Sequence, residues 1–255
     1  MLTILKIGGN ILNNPTALAE ALDYFAGLPG KAILVHGGGR KASEVIQEMG
    51  REPVMVDGRR ITDAPTLEIV TMVYAGLINK TIVAELQRRG TQAIGLSGAD
   101  ANVVLAEKRP VKDIDYGYAG DVLGVDAGVL NGLLQLGLTP VLCPITHDKK
   151  GQLLNTNADT IANETATAMA QSGLEVSLQY CFELPGVLRN IKDHDSVIRE
   201  LKPGSYASFK AEGVIAGGMI PKLDNAFAAV GAGVKEVVIG DLSALRAGLG
   251  TRCRG

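Results

Sequence analysis

Residues 2–10 read Leu2-Thr3-Ile4-Leu5-Lys6-Ile7-Gly8-Gly9-Asn10. Apart from Lys6, residues 2–7 are apolar or β-favouring, so the segment reads as a buried strand running straight into two glycines. A lysine at the end of an apolar strand, beside a loop without side chains, is poorly placed for ordinary solvation. Ligands bind at the carboxyl ends of strands in open α/β sheets, and bare backbone N–H groups beside a fixed ammonium suit a phosphate. Taken alone, the nine residues also read as a solvated lysine ahead of a tight turn.

The rhythm recurs at once. Residues 15–25 carry Leu18, Leu22 and Phe25 at helical spacing with Pro15 in the first turn, and 32–35 is a second apolar run. That run enters His36-Gly37-Gly38-Gly39, after which 41–49 is helical again. Two successive units of strand, glycine loop and helix predict a parallel sheet with crossover helices, both glycine loops lying at the same edge.

The totals narrow the function classes. A chain of 255 residues suffices for one large α/β unit or two lobes. Its 25 Lys+Arg against 27 Asp+Glu leave a net charge of −2, with no bulk field to draw nucleic acid or a membrane surface, so any anion is held locally. The 32 glycines lack a collagen-like period and suggest many tight connections. No apolar run is expected to cross a bilayer, and the N-terminus lacks a basic segment and a cleavage site, which predicts a cytoplasmic protein. Cys143, Cys181 and Cys253 are scattered, and His36, His147 and His194 have no ligand at i+3 or i+4, so neither a disulfide nor a metal site is expected.

Further along, 53–62 alternates around Asp57-Gly58, a type I′ hairpin signal that puts Arg59 and Arg60 on the return strand. Asp63 caps a helix running to about Arg89 that is apolar on two sides, one for the sheet and one for a second subunit. A strand at 93–96, antiparallel excursions at 103–105 and 116–125, a helix at 127–136 and a strand at 139–145, interrupted by Pro140 and Pro144, precede Asn155-Thr156-Asn157-Ala158-Asp159. That segment leads into a helix ending near Gly173. The pattern then restarts with a strand at 176–181, helical stretches at 196–201 and 206–212, a helix opened by residues 217–222, a strand at 236–239 and a helix from Ser243. No Ser/Pro linker interrupts the chain, so two lobes, 1–173 and 174–255, are expected to share one continuous sheet.

Three glycine-rich sites thus stand at strand ends or helix starts, at 8–9, 37–39 and 217–218, with Lys6 beside the first and Lys222 beside the last. The combination suits phosphate handling by positioning and positive charge. Neither a P-loop string nor a G-x-G-x-x-G fingerprint is present. The string His36-Gly37-Gly38-Gly39 would also fit an esterase's oxyanion loop, but the elbow this requires fails at Ala99, where the last glycine should stand.

Five motifs in order, Lys6-Ile7-Gly8-Gly9, His36-Gly37-Gly38-Gly39, Arg60-Ile61-Thr62, Asn155-x-Asn157-Ala158-Asp159 and Gly217-Gly218-Met219-Ile220-x-Lys222, resemble the amino acid kinase family. Within it they are most similar to the branch that phosphorylates N-acetylglutamate in arginine biosynthesis, and the resemblance covers essentially the whole chain. It implies a three-layer α/β/α sandwich with a mainly parallel central sheet. The lobe 1–173 would bind the N-acylated glutamate and dimerise, and 174–255 would bind ATP. Lys6 and Lys222 would neutralise the migrating phosphoryl group while Asp159 holds both ammonium groups. Gly8, Gly9 and Gly37 would offer N–H groups to phosphate oxygens, and Gly38, Gly39, Arg60 and Asn155 would bind the amino-acid substrate, Arg60 by its α-carboxylate. Glu183, Leu184, Gly186, Gly217 and Gly218 would contact the nucleotide. Mg2+ would be held by ATP oxygens and water, in keeping with no protein metal ligands.

Each residue also has a plainer reading: Asp159 as a helix N-terminal acid, Lys222 as a solvated helix lysine, Arg60 as a strand surface residue, Asn155 as a turn former. The chain departs from the family pattern at Phe182, where relatives carry a small hydroxyl residue, and at Ala101, where a glycine usually follows the aspartate. These departures leave the acyl group, acetyl or succinyl, open. With the first strand beginning at residue 2, an arginine-insensitive homodimer joined through the helix 63–89 is expected. The alternatives are another superfamily member, a carbamate kinase or glutamate 5-kinase, and a non-catalytic regulatory domain that binds amino acid or nucleotide.

Overall fold

The structure is a computed structural model that describes every residue except Asp57 and Gly218, with Asn10 described by its backbone alone. In chain order the strands are β1 (Leu2–Ile7), β2 (Lys31–His36), β3 (Met55–Val56), β4 (Arg59–Arg60), β5 (Ala93–Leu96), β6 (Val104–Lys108) and β7 (Ala119–Val125). They continue with β8 (Thr139–Leu142), β9 (Ile145–His147), β10 (Leu153–Thr156), β11 (Val176–Cys181), β12 (Glu200–Leu201), β13 (Glu236–Gly240) and β14 (Thr251–Cys253). The helices are α1 (Asn10–Asn13), α2 (Pro15–Ala26), α3 (Gly39–Glu48), α4 (Ala64–Thr71), α5 (Asn79–Arg88), α6 (Ala127–Gln135), α7 (Ala158–Gln171), α8 (Pro203–Ala211), α9 (Met219–Gly231) and α10 (Leu242–Ala247).

Among the described residues, one 8-stranded sheet runs in the order β12-β14-β13-β11-β1-β2-β8-β5. It is mainly parallel, as expected; β14 is antiparallel to β13, and β12 follows β14. Strand β1 lies between β2 and β11, so residues before and after Gly173 share this sheet. Alternation along β1 builds the layers on either side. Leu2 and Ile4 enter one apolar core with Leu130, Ile161 and Leu223 from α6, α7 and α9. Leu5 and Ile7 enter the other with Leu22, Ile46 and Ile82 from α2, α3 and α5. Ile4, Leu5 and Ile7 are fully buried, each contributing about 1.5–3 kcal/mol through removal from water. By the same alternation Lys6 emerges on the α7 and α9 side, and that face decides what it can meet.

Several local expectations change. Residues 196–201 are not helical: Val197 bridges Leu188, and Leu201, fully buried, pairs with Cys253 in the sheet. Spacing compatible with a helix yields here because the sheet edge supplies backbone partners that a short helix would lack. The expected strand 139–145 is two strands, and β9 turns away to join β6, β7 and β10 in a small closed barrel. The helix after Asp63 is continuous over Ala64–Arg88 but widens into a π-helical turn at Met72–Ile78. By length and composition alone this helix could cross a bilayer, contrary to the expectation that no run could; Ile69, Val70, Ile82 and Leu86 instead fill the second core. All three cysteines are free and buried, and burial pushes each thiol up to about 12.

Candidate active site

Strands β1, β2 and β11 end level, Ile7 pairing with both His36 and Cys181. The loops that follow therefore emerge side by side, and Gly37 N–H donates to Ile7 O at 3.0 Å. At Gly8 a Cβ would lie 2.7 Å from Lys6 Nζ, so a side chain there would displace the ammonium. Gly38 has φ +150°, and a Cβ on it would stand 2.5 Å from Ile78 Cδ1 and 2.9 Å from Tyr74 Cδ1. Both covering side chains come from the π-helical turn, which explains why this loop must be glycine. Gly39 opens α3, leaving early helix N–H groups at the same edge.

Asn157 caps α7, its side chain accepting from Asp159 N at 2.8 Å and Thr160 N at 3.2 Å. The cap fixes Asp159 in the first helical turn. Lys6 Nζ lies 2.6 Å from Asp159 Oδ1, and Lys222 Nζ donates to Oδ2 at 3.2 Å. Burial by itself would raise the Asp159 carboxyl, but Lys6 first and Lys222 second hold it below the ordinary value. Two ammonium groups on one carboxylate leave the trio with one surplus positive charge. Lys222 also stands 5.7 Å from the centre of the Tyr180 ring and 5.9 Å from that of Phe182. Phe182, a departure in the sequence, thus helps seat the second lysine. Tyr180 OH donates to Asp159 O at 3.2 Å.

Arg60 is 6 % exposed. Its Nη2 donates to Gly39 O and Ser43 Oγ, both at 2.8 Å, while Nη1 is buried without a hydrogen-bond partner among the described residues. A buried guanidinium nitrogen left unpaired is costly, and an anion of complementary shape would relieve it. Asn155 Nδ2 donates to Thr62 Oγ1 at 3.0 Å, and Thr62 Oγ1 donates to Arg60 O at 3.0 Å, tying the barrel to the hairpin. Gly37–Gly39, Arg60 and Asn155 face one cleft of about 160 Å³ that reaches Ala158, the neighbour of Asp159. Asp57 of the expected hairpin turn lies outside the described residues; Gly58 beside it has φ +73°.

The expected nucleotide residues divide. Leu184 and Gly186 line a second cavity of about 400 Å³ beside the start of α9, with Leu188 and Ile215. Gly217, φ +58°, sits between Ala216 and Met219, which both line it. Glu183 turns the other way: its Oε1 is 3.7 Å from where a Gly9 Cβ would be. Gly218 lies outside the described residues. Among the described residues no three His, Cys, Asp or Glu form a cluster, and Asp159 is committed to two lysines, so a divalent cation here fits only if phosphate oxygens and water supply its ligands.

Sequence reasoning passed over Tyr74, Ile78, Ser43, Tyr180 and the capping role of Asn157. Only the last carried a local signal, an asparagine directly ahead of a helix.

The profile of the amino acid kinase family matches residues 1–241. An acetylglutamate kinase of Phocaeicola vulgatus is 55 % identical over 250 residues, covering 98 % of this chain and 97 % of that protein. One from Cytophaga hutchinsonii is 57 % identical over 239 residues, covering 93 % and 90 %. Among solved structures, smu.665 from Streptococcus mutans superposes with TM-score 0.81 at 27 % identity, covering 99 % of this chain and 98 % of its own.

Proposed function

Since the chain belongs to the amino acid kinase family, we propose that it transfers the γ-phosphoryl group of ATP to the side-chain carboxylate of an N-acyl-L-glutamate, N-acetyl-L-glutamate or a relative such as N-succinyl-L-glutamate. A carboxylate oxygen attacks the γ-phosphorus, the bond to the bridging oxygen breaks, and ADP departs with the electron pair. The acyl phosphate remains. The observation that carries this reading is the convergence of Lys6 and Lys222 on Asp159 beside a cleft lined by Arg60, whose Nη1 has no hydrogen-bond partner among the described residues.

Little covalent work falls to the protein in such a transfer; position and charge do most of it. Lys6 and Lys222 neutralise the phosphoryl oxygens from both sides, and Asp159 suppresses the repulsion between the two ammonium groups when the site is empty. Backbone N–H groups of Gly8 and Gly9 are offered to the equatorial oxygens; that of Gly37, expected to join them, is instead held by Ile7 O and fixes the loop. Arg60 takes the α-carboxylate with its free nitrogen, Gly38 and Gly39 offer N–H groups, and Asn155 addresses the amide. Leu184, Gly186 and Gly217 border the nucleotide, with Glu183 at its phosphate end. Mg2+ supplies charge neutralisation on the ATP phosphates when bound.

In this reading 1–173 is the amino-acid lobe and 174–255 the nucleotide lobe, and the enzyme works in the cytoplasm. Met72 and Leu77, both more than half exposed on the helix Ala64–Arg88, are the side chains a second copy would cover in a homodimer.

The test is a coupled ADP-release assay across glutamate, N-acetylglutamate and N-succinylglutamate. ADP release with an acylated substrate supports the proposal; release with free glutamate alone overturns it.

A further inference from the structure

Strand β4 carries two consecutive arginines, and both line the same cleft. Neighbours on a regular strand point to opposite faces, so this arrangement belongs to the short, tight hairpin. Arg60 has its work assigned: Nη2 on Gly39 and Ser43, Nη1 open to the substrate's α-carboxylate. Arg59 does not. It is half-buried, and the carboxylate closest to it in effect, Asp121, accepts hydrogen bonds from Arg109 through both Nε and Nη2. Two guanidinium groups therefore share one carboxylate already committed to Arg109, which leaves a surplus positive charge at the cleft wall. Burial, and next the charge of Arg109, hold the Arg59 guanidinium below its ordinary value, the direction expected of a cation short of a counterion.

On the kinase reading above, glutamate itself brings two carboxylates. One goes to Arg60 and the other is the phosphoryl acceptor near Lys6. A neutral acyl group would leave Arg59 partly desolvated with nothing to bind. We propose that Arg59 recognises a carboxylate at the end of the acyl arm, making the preferred substrate an N-acyl-L-glutamate with a dicarboxylic acyl group, such as N-succinyl-L-glutamate. The inference rests on the kinase reading. A planar two-pronged donor whose nearest counter-charge among the described residues is already bound to Arg109 suits a terminal carboxylate, and a site built around that pairing rejects a substrate lacking it.

Steady-state rates of the wild type, Arg59→Met and Arg59→Lys with N-succinylglutamate and N-acetylglutamate test it. The wild type should favour the succinyl substrate in kcat/KM by about tenfold or more, the range of one charge-assisted pair. Arg59→Met should lower kcat/KM for that substrate by about the same factor, chiefly through KM, so that the preference collapses, and Arg59→Lys should recover part of it. A wild type that favours N-acetylglutamate, or an Arg59→Met change of equal size on both substrates, overturns the proposal while leaving the kinase reading standing. A wild type inactive on both overturns the kinase reading and this proposal with it.

Discussion

Lys6 and Asp159 meet at 2.6 Å, the end of the central strand against the first turn of α7. The contact forms because Lys6 shares the sheet face of Leu2 and Ile4, which α7 covers, and because Asn157 caps that helix and fixes its first turn. Lys222 completes it from α9 on the other carboxylate oxygen.

Lys6→Ala should lower kcat by about a hundredfold or more, the usual effect of removing one preorganised donor to a transferring group. The fold should persist, since Lys6 contributes charge rather than core packing. Turnover at the wild-type rate in the ADP-release assay would remove Lys6 from the mechanism.

Arg60→Ala should raise KM for the amino-acid substrate by about a hundredfold while the KM for ATP stays near its starting value. The buried Nη1, without a hydrogen-bond partner among the described residues, is the reason: it is the nitrogen left for a carboxylate while Nη2 holds Gly39 O and Ser43 Oγ. A change confined to ATP would reassign the residue.

Gly38→Ala should destabilise the fold by about 2–4 kcal/mol, combining a disfavoured backbone conformation with overpacking. At φ +150° the added methyl would collide with Ile78 and Tyr74. Urea unfolding of the variant at the wild-type midpoint would show that the π-helical turn yields easily.

His36 is buried, with Nδ1 at 2.7 Å from Gly37 O and Nε2 at 3.1 Å from Asn79 Nδ2, which fits a neutral ring donating to the carbonyl and accepting from the amide. Burial pushes it down to about 4 from 6.5. As pH falls from 6.5 toward 4 the unfolded chain takes up a proton that the folded chain refuses, so stability is full above 6.5 and lost on the acid side. The loss from this residue between pH 7 and pH 5 should be about 2 kcal/mol. His36→Gln should lose less than the wild type over that interval in urea titrations; equal losses would mean that the ring ionises normally.

Glu236, 6 % exposed, accepts from Arg254 Nε at 3.0 Å and from Arg252 Nη1 at 3.0 Å, tying β13 to β14. Burial would raise its carboxyl, but hydrogen bonds from Arg254 and the charge of Arg252 hold it below the ordinary 4.5. A depressed carboxyl stabilises the fold above its unfolded value, and that contribution disappears as pH falls through the folded one. Glu236→Gln should therefore be less stable by about 2 kcal/mol at pH 7, with the gap closing on acidification. A gap that persists undiminished in acid would point to packing instead of charge.

The central strands β1 and β2 were readable as apolar runs that end in glycine, and β11 as a β-favouring stretch; β1 and β11 lie where the spacing puts them, and β2 is longer by one residue at each end. The helix start at Asp63 was readable as a cap, whereas the capping role of Asn157 emerged only with the structure. Strands β10, β12 and β14 were not, being two to four residues long: β12 depends on the distant β14, with Leu201 opposite Cys253, and β10 forms a short hairpin with β9 that carries little pattern of its own. Nor was the π-helical turn, whose apolar composition matches the helix on either side.

By itself the sequence determined the alternation of strand and helix, the glycines at the sheet edge and the inventory of charges, because burial preference, capping and backbone freedom are properties of residues and their near neighbours. Only the tertiary structure decided that Lys6 and Lys222 share Asp159, that Tyr74 and Ile78 close over Gly38, and that Arg59 and Arg60 line one cleft. Electrostatic energy and packing depend on separation in space, and that separation was set by the level ends of β1, β2 and β11.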